Sequence, residues 1–286
     1  AGYRDAHFHT ADGPRIHYRD YDPQGAEAGP PVLCLHGLSR NLRDFEDLAP
    51  RIAGLGRRVI AASQRGRGAS DPDPIPARYN PAVYVGDMLA LLTELGVDRA
   101  VFIGTSMGGL MTAIAAAQAP QRIAAAVIND VGPVIEPAGI ARILSYVGKV
   151  KPATTWAEAA ASARATNGVA FPKETDDAFW MAFARRTYRD DASGRPVLEY
   201  DPAIAAAAPP TNGPAPDLWP LFDALKPIPT LMVRGALSDL LSAATVEEMR
   251  RRKPDLQAVE VPDVGHAPFL TEPAAWAALS AFLKAH

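Results

Sequence analysis

Short apolar segments alternate with amphipathic ones along most of the chain, and this alternation restricts the fold more than any other feature. Helices are predicted between the apolar segments, including one from Asn80 to about Leu95 and another over residues 107–119. Buried strands that alternate with helices form parallel sheets covered on both faces. We therefore predict an α/β fold with an eight-stranded, mostly parallel sheet, whose first two strands meet at Asp12-Gly13 in an antiparallel hairpin. The predicted strands are residues 5–10, 15–21, 32–35, 58–62, 100–104, 123–129, 229–234 and 256–261.

Residues 133–226 interrupt this alternation and contain three of the four tryptophans of the chain. A Thr-x-x-Glu capping box predicts a helix that begins at Trp156, and a second helix is expected over residues 175–188. We predict a helical cap over 133–226, inserted into a core built from residues 1–132 and 227–286. The aromatic residues of the cap that are candidates for lining a pocket are Trp156, Phe179, Trp180, Phe183 and Trp219.

Composition and charge exclude several classes of protein. The 286 residues include 29 Lys and Arg against 32 Asp and Glu, a formal net charge of −3. A nucleic acid or an anionic membrane needs a concentrated positive field, so neither is expected as the main partner. Cys34 is the single cysteine, which excludes an intrachain disulfide and a cysteine-based zinc cluster. No apolar run approaches the ~20 residues of a membrane span, and the first ten residues are polar, so we expect a cytoplasmic protein.

The segment Gly104-Thr105-Ser106-Met107-Gly108 carries the strongest chemical signal. It directly follows the predicted strand AVFIG and directly precedes the predicted helix GLMTAIAAA. A strand that turns at once into a helix bends sharply and holds the central residue in a strained conformation, with its side chain exposed above the sheet. Gly104 and Gly108 leave room for the neighbouring backbone at this bend. The pattern predicts that Ser106 is a nucleophile.

A serine hydroxyl is a poor nucleophile unless a base accepts its proton. His266 is the predicted base, because it lies in the loop between the last predicted strand and the last predicted helix. The base needs a carboxylate that fixes its tautomer, and Asp239, just after the strand PTLMVRG, is the preferred candidate. Asp130, which ends the strand IAAAVIN, is the alternative acid.

Attack on a carbonyl carbon generates an oxyanion that needs hydrogen-bond donors in place. The backbone N–H of Met107, directly after the nucleophile, is one predicted donor. The second is the N–H of Leu38, in the loop that follows the third strand, where Gly37 is expected to permit the turn. We expect His36 to hold this loop through hydrogen bonds and not to act as a second base.

Taken in order, the segments VLCLHGLSRN, QRGRGASDP, GTSMGG, RGALSD and VGHAPFLTEP resemble the α/β-hydrolase superfamily, in particular its capped bacterial esterases, lactonases and C–C hydrolases. The resemblance covers almost the whole chain outside the predicted cap. It implies an eight-stranded α/β-hydrolase sheet, a helical cap inserted after the sixth strand, and a Ser-His-Asp triad. It also implies that no cofactor and no metal are used.

Three positions depart from patterns of the superfamily. Ser63 stands where many members have Asp before an x-Arg-Gly turn, so a bond from that carboxylate is lost or replaced. A serine nucleophile argues against haloalkane dehalogenase and epoxide hydrolase chemistry, in which a carboxylate attacks. Thr105 stands where hydrolases of ring-cleavage products usually have Asn, which makes that subclass less favoured.

The sequence therefore predicts a serine hydrolase that cleaves a small to medium carboxylic ester or lactone. The alternatives are a C–C bond hydrolase of a dienoic ring-cleavage product and a non-catalytic ligand receptor on a hydrolase fold. A small-molecule substrate is the expected partner, and the protein is expected to be a monomer or a homodimer. Arginines of the predicted cap that would suit a carboxylate-bearing substrate are Arg142, Arg164, Arg185, Arg186 and Arg189.

Overall fold

A computed structural model describes residues 2–207 and 216–286 of the chain. Its strands are β1 (Tyr3–His9), β2 (Arg15–Tyr21), β3 (Val32–Leu35), β4 (Val59–Ala62), β5 (Ala100–Thr105), β6 (Ile123–Asn129), β7 (Tyr188–Asp190), β8 (Pro196–Leu198), β9 (Thr230–Gly235) and β10 (Gln257–Val261). Its α-helices are α1 (Leu48–Ala53), α2 (Pro81–Glu94), α3 (Met107–Gln118), α4 (Pro137–Tyr146), α5 (Trp156–Asn167), α6 (Asp177–Thr187), α7 (Trp219–Asp223), α8 (Ala243–Arg252) and α9 (Pro273–Ala285).

The main sheet has eight strands in the order β1-β2-β4-β3-β5-β6-β9-β10. β2 is antiparallel to both of its neighbours, β1 and β4, and the remaining pairs are parallel. The α/β class and the eight-stranded, mostly parallel sheet predicted from the sequence are thus confirmed. The hairpin of β7 and β8, which lies outside this sheet, was not predicted.

Two apolar layers cover the sheet. On one face, α2, α3 and α8 bury side chains such as Met88, Met111 and Met249 against strand residues that include Phe102. On the opposite face, α1 and α9 pack against the same central strands through side chains such as Ile52 and Phe282. The central strands are therefore buried on both sides, which explains why they are continuous apolar runs in the sequence.

The segment between β6 and β9 contains α4, α5, α6 and the small hairpin. The helix predicted to begin at Trp156 is α5, and its N-cap Thr155 accepts a hydrogen bond from the Glu158 N–H. α5 and α6 share an apolar cluster of their own, with Trp180 and Phe183 at its centre. Within the predicted cap, residues 208–215 lie outside the described residues, and the cap boundaries stay a prediction.

In the described part of the chain, none of the helices combines the length and the apolar character that crossing a membrane requires.

Candidate active site

The turn from β5 into α3 holds Ser106 in a conformation that is rare for a residue with a side chain, with φ of 53° and ψ of −116°. Gly104 and Gly108, on either side of Ser106, allow neighbouring backbone segments to approach this turn closely. A Cβ on Gly104 would lie 2.1 Å from the Gly108 carbonyl oxygen, and a Cβ on Gly108 would lie 2.1 Å from that of Leu35. Both positions therefore exclude any larger residue, in agreement with the bend predicted from the sequence.

A chain of hydrogen bonds runs from Ser106 through His266 to a buried carboxylate. The Ser106 Oγ lies 2.9 Å from His266 Nε2, and His266 Nδ1 lies 2.8 Å from Asp130 Oδ2. His266 comes from the loop between β10 and α9, as predicted, and its side chain is 8% exposed. This geometry allows the imidazole to accept the serine proton while its other nitrogen donates to the carboxylate.

The carboxylate at His266 is Asp130 and not the preferred candidate Asp239, which corrects the sequence-based assignment. Asp239 instead accepts two hydrogen bonds from Arg142 of α4, at 2.5 Å from Nε and 2.9 Å from Nη2. Arg142 lowers the pKa of the Asp239 carboxyl through these bonds. Sequence order alone could not separate the two aspartates, because β6 and β9 are adjacent parallel strands and both aspartates follow the same edge of the sheet.

Two further groups hold the Asp130 carboxylate. The Gly235 N–H donates to its Oδ1 at 2.7 Å, and the Ser238 hydroxyl donates to its Oδ2 at 2.6 Å. Ser238 Oγ in turn accepts from the N–H groups of Leu240 and Leu241. Ser238 was not among the residues predicted from the sequence. Its position next to Asp239, in the loop after a central strand, was the available signal.

Two backbone N–H groups near Ser106, those of Met107 and Leu38, have no acceptor in the part of the chain that the structure describes. Met107 is the first residue of α3, where a helix leaves its N–H groups free. For Leu38, too, no acceptor of the N–H is found among residues 2–207 and 216–286. Both N–H groups are therefore available to a negatively charged oxygen, as an oxyanion site requires.

His36 braces the loop that carries Leu38. It is fully buried, its Nδ1 lies 2.7 Å from the Gly37 carbonyl oxygen, and its Nε2 accepts from the Gln64 N–H at 2.9 Å. Burial lowers the pKa of His36 to about 4, so this imidazole is neutral near pH 7. Arg67 holds the same loop, because its Nε donates to the Leu38 carbonyl oxygen at 2.9 Å.

Gly37 has a different role from the expected one. Its φ is not positive, so the turn itself does not require glycine. A Cβ at this position would lie 3.7 Å from the Ser106 Cβ and 3.6 Å from the Arg40 Cγ. The absence of a side chain therefore keeps the space in front of Ser106 open.

Ser63, which replaces the more usual aspartate, is fully buried. Its hydroxyl accepts a hydrogen bond from the Leu42 N–H at 3.1 Å. The neutral Ser63 hydroxyl thus makes the contact to the loop at Leu42 that a carboxylate could make at this position.

A cavity of about 120 Å³ opens on Ser106 and His266. Of the five aromatic residues predicted as candidates, Phe183 lines it, and the other four do not. Trp180 is buried in the apolar cluster that α5 and α6 share and donates to the Glu174 carbonyl oxygen, while the Trp156 indole donates to Asp190. Phe179 packs against Trp180, and Trp219 packs against Phe222 of the same helix, α7. Aromatic residues that the sequence analysis did not select as lining are Phe45, Tyr146, Phe171, Tyr188, Tyr200 and Phe269.

The five cap arginines proposed for a carboxylate-bearing substrate do not line this cavity. Arg142 pairs with Asp239, as described above. Arg164 forms an ion pair with Asp177, Arg185 with Asp190, and Arg186 with both Glu46 and Asp47. Arg189 is exposed on β7. Composition alone could not show that these arginines are paired or exposed outside the cavity.

No group of three His, Cys, Asp or Glu side chains suited to a metal ion is found within residues 2–207 and 216–286.

A family model of the α/β hydrolase fold matches residues 30–273. Together with the sheet order and the turn at Ser106, this match shows that the chain belongs to the α/β-hydrolase fold family, which confirms the resemblance seen in the sequence.

Similar proteins cover nearly the full chain. A crystal structure of an α/β hydrolase from Novosphingobium aromaticivorans is 45% identical, with a TM-score of 0.91 and coverage of 99% of both chains. The 3-hydroxybutyrate-oligomer hydrolase of Cupriavidus necator is 35% identical over 272 residues, which are 91% of this chain and 90% of that protein. The 2-(acetamidomethylene)succinate hydrolase of Mesorhizobium japonicum is 30% identical over 240 residues, or 84% and 82% of the two chains.

Proposed function

We propose that the protein is a serine hydrolase that cleaves a small to medium carboxylic ester or lactone through an acyl-enzyme. The observation that carries this proposal is the continuous hydrogen-bonded chain from Ser106 through His266 to Asp130, at the wall of a cavity that can hold a small molecule. Membership of a hydrolase family supports the reaction class.

In the first half of the reaction, the Ser106 Oγ attacks the carbonyl carbon while His266 Nε2 takes the hydroxyl proton. The carbonyl oxygen becomes an oxyanion, which accepts hydrogen bonds from the N–H groups of Leu38 and Met107. Loss of one such donor typically raises the barrier by roughly 3 kcal/mol. The C–O bond of the ester then breaks, and the alcohol leaves with the proton that His266 held.

In the second half, water attacks the acyl-enzyme and gives its proton to His266. The bond to Ser106 breaks, the acid is released, and the proton returns to the serine oxygen. Asp130 stabilises the imidazolium in both halves and keeps the hydrogen on Nδ1, so that Nε2 faces the serine. In this role Asp130 replaces Asp239 of the sequence-based hypothesis.

One of the relatives supports ester hydrolysis as the reaction. The Cupriavidus necator protein is named for hydrolysis of 3-hydroxybutyrate oligomers, and hydroxy acids join to one another through ester bonds. We extend this to the present chain only at the level of the bond that is cleaved. The expected cytoplasmic location and the monomeric or dimeric state remain predictions from the sequence.

A panel of p-nitrophenyl esters of increasing acyl length, lactones and dienoates tests the proposal with wild type and Ser106→Ala. We expect the wild type to hydrolyse esters or lactones, and Ser106→Ala to lose on the order of 10⁴-fold or more in kcat/KM. A fluorophosphonate probe followed by peptide mass spectrometry should label Ser106 in the wild type only.

Ser280→Ala is the matched control, because Ser280 on α9 bonds only to the backbone of its own helix. It should retain both activity and labelling. Full turnover by Ser106→Ala would contradict the mechanism. Dienoate cleavage without ester cleavage would favour the C–C hydrolase alternative, and ligand binding with no turnover of any compound would favour the receptor.

A further inference from the structure

Arg40 is the single lysine or arginine among the described residues that line the cavity in front of Ser106. It lies in the loop that carries Leu38, two residues further along the chain. The place where a Cβ would stand on Gly37 is 3.6 Å from the Arg40 Cγ and 3.7 Å from the Ser106 Cβ. Both side chains therefore lie close to Gly37, and both line the same cavity.

Two contacts fix the orientation of the Arg40 guanidinium. Its Nε lies 3.0 and 2.9 Å from the two Asp44 oxygens, and its Nη2 lies 2.6 Å from Oδ1. Its Cζ is 4.2 Å from the centroid of the Phe183 ring. The side chains of Arg40 and Asp44 are only 16% and 13% exposed, so the guanidinium is held in place and is not free in solvent.

The end of the guanidinium that points away from Asp44 remains unused. Asp44 occupies the edge formed by Nε and Nη2, which leaves the fork of Nη1 and the second N–H of Nη2. In the described part of the chain, no acceptor is found for Nη1. Tyr146 also lines the cavity, and Arg40 and Arg142 both lie close enough to oppose the rise in its pKa that burial causes.

The cavity lining thus includes Arg40 and Tyr146 as donors, while both oxygens of Asp44, which also lines the cavity, already accept from Arg40. A fork of two guanidinium N–H groups matches a carboxylate, which accepts with both oxygens at once. We propose that Arg40 binds a carboxylate of the substrate, so that the enzyme prefers esters that carry a free carboxylate on their acyl or alcohol part. This assignment rests on the proposed ester hydrolysis at Ser106 and deepens it.

The test compares two series of esters. One series consists of monoethyl esters of linear dicarboxylic acids with four to seven carbons, and in the other a carboxamide of the same shape replaces the free carboxylate. Acetate esters of ω-hydroxy acids, and of their amides, form the matching series for the alcohol side. At the chain length that reaches Arg40, we expect kcat/KM for the carboxylate to exceed that for the carboxamide by about tenfold or more. Arg40→Gln should reduce this ratio to about one, whatever its effect on the absolute rates.

Arg189→Gln is the control, because it removes the same charge from an exposed position on β7. It should keep the preference for the carboxylate. Equal rates for both members of every pair, or an unchanged preference in Arg40→Gln, would overturn the site while ester hydrolysis stands. If Arg40→Gln does not fold, competition in the wild type decides: free dicarboxylates should inhibit cleavage of a neutral ester at lower concentration than the diamides.

Calorimetry with Ser106→Ala separates this inference from the proposed function, because it measures binding without turnover. If no ester is cleaved by the wild type but the monoethyl dicarboxylates bind to Ser106→Ala, and more weakly once Arg40 is also replaced by Gln, the carboxylate site stands and the esterase proposal fails.

Discussion

The Asp130 carboxylate accepts three hydrogen bonds, from the Gly235 N–H, the Ser238 hydroxyl and His266 Nδ1. It is fully buried, and its backbone has a positive φ of 58° that turns the chain sharply at the end of β6. At the scale of single residues, the Asp130 carboxylate is therefore held in one position, which is what orienting the His266 imidazole requires. Asp239 is more exposed and is committed to Arg142.

We predict that replacing Asp130 lowers ester hydrolysis far more than replacing Asp239 does. Asp130→Asn should lower kcat/KM about 10³- to 10⁴-fold, because an amide in this place favours the wrong imidazole tautomer. Asp239→Asn should lower kcat by less than about tenfold, since Asp239 makes no hydrogen bond to His266. Ester kinetics on both variants, each checked for folding by circular dichroism, make the comparison. Loss of activity in Asp239→Asn alone would return the acid role to that residue.

At the scale of secondary-structure elements, α4 is pressed closely onto the loop that follows β9. A Cβ on Gly139 would lie 2.6 Å from the Asp239 carbonyl oxygen, so glycine is required for this approach. Ile143 and Tyr146 of α4 line the cavity, and Arg142, directly before Ile143, is bound to Asp239. The ion pair therefore fixes one wall of the cavity to the sheet.

Breaking this ion pair should change substrate binding more than chemistry. We expect Arg142→Met to raise KM severalfold while the pH profile of kcat is retained, because the groups at Ser106 are not touched. The free energy of unfolding should fall by about 1 kcal/mol, since both partners are partly exposed. Steady-state kinetics and urea unfolding provide the measurements.

A double variant supplies the control for this prediction. Once Arg142 is replaced, Asp239→Asn should cost less than it does alone, because the contact that both changes remove is already lost. Independent, additive losses in free energy of unfolding would show that the two side chains are not coupled.

The segment from Arg40 to Asp47 joins the core to the helices above it at several points. Arg186 of α6 bonds to Glu46 and Asp47, and Arg43 forms an ion pair with Glu199. The Asn41 side chain donates to the Arg186 carbonyl oxygen at 2.8 Å. Together with the Arg142 pair, these contacts hold the cavity from two sides.

At the scale of the whole molecule, the interior contains a titratable group that links stability to pH. His36 is fully buried, and its pKa is lowered to about 4 in the folded state, compared with 6.5 for the free side chain. Between these two values the unfolded chain binds a proton that the folded chain does not bind. The free energy of unfolding therefore decreases as the pH falls from 6.5 to 4.

We predict that this group alone removes up to roughly 3 kcal/mol of stability over that interval. His17 adds a smaller effect of the same sign, because burial lowers its pKa as well. His36→Gln should show a flatter dependence on pH between 4.5 and 7, whatever its stability at neutral pH. Urea unfolding at several pH values measures the slope, and equal slopes for variant and wild type would contradict the assignment.

The loss of stability at still lower pH has a separate origin. Arg65 lowers the pKa of Asp12 to about 2 through a hydrogen bond, so the stability from this pair is present above pH 3.8 and is lost as the pH falls towards 2. Because Asp12 is largely open to solvent, its contribution is small compared with that of His36.

The sequence by itself determined the sheet, the bend at Ser106 and the loop that carries His266. These features depend on local causes: apolar runs that must be buried on both faces, and glycines whose positions admit no Cβ. The same local signals predicted the start of α5 through its capping residue.

Only the tertiary structure decided which carboxylate meets His266 and which side chains line the cavity. Asp130 and Asp239 both follow adjacent strands, β6 and β9. What separates them is the direction of each side chain and the position of Arg142, which lies 97 positions from Asp239 and is brought to it by folding. Likewise, Trp180 of the predicted cap is buried against Phe171 and Phe183, while Arg40 lines the cavity. Such choices depend on contacts between distant segments, which spacing along the chain does not encode.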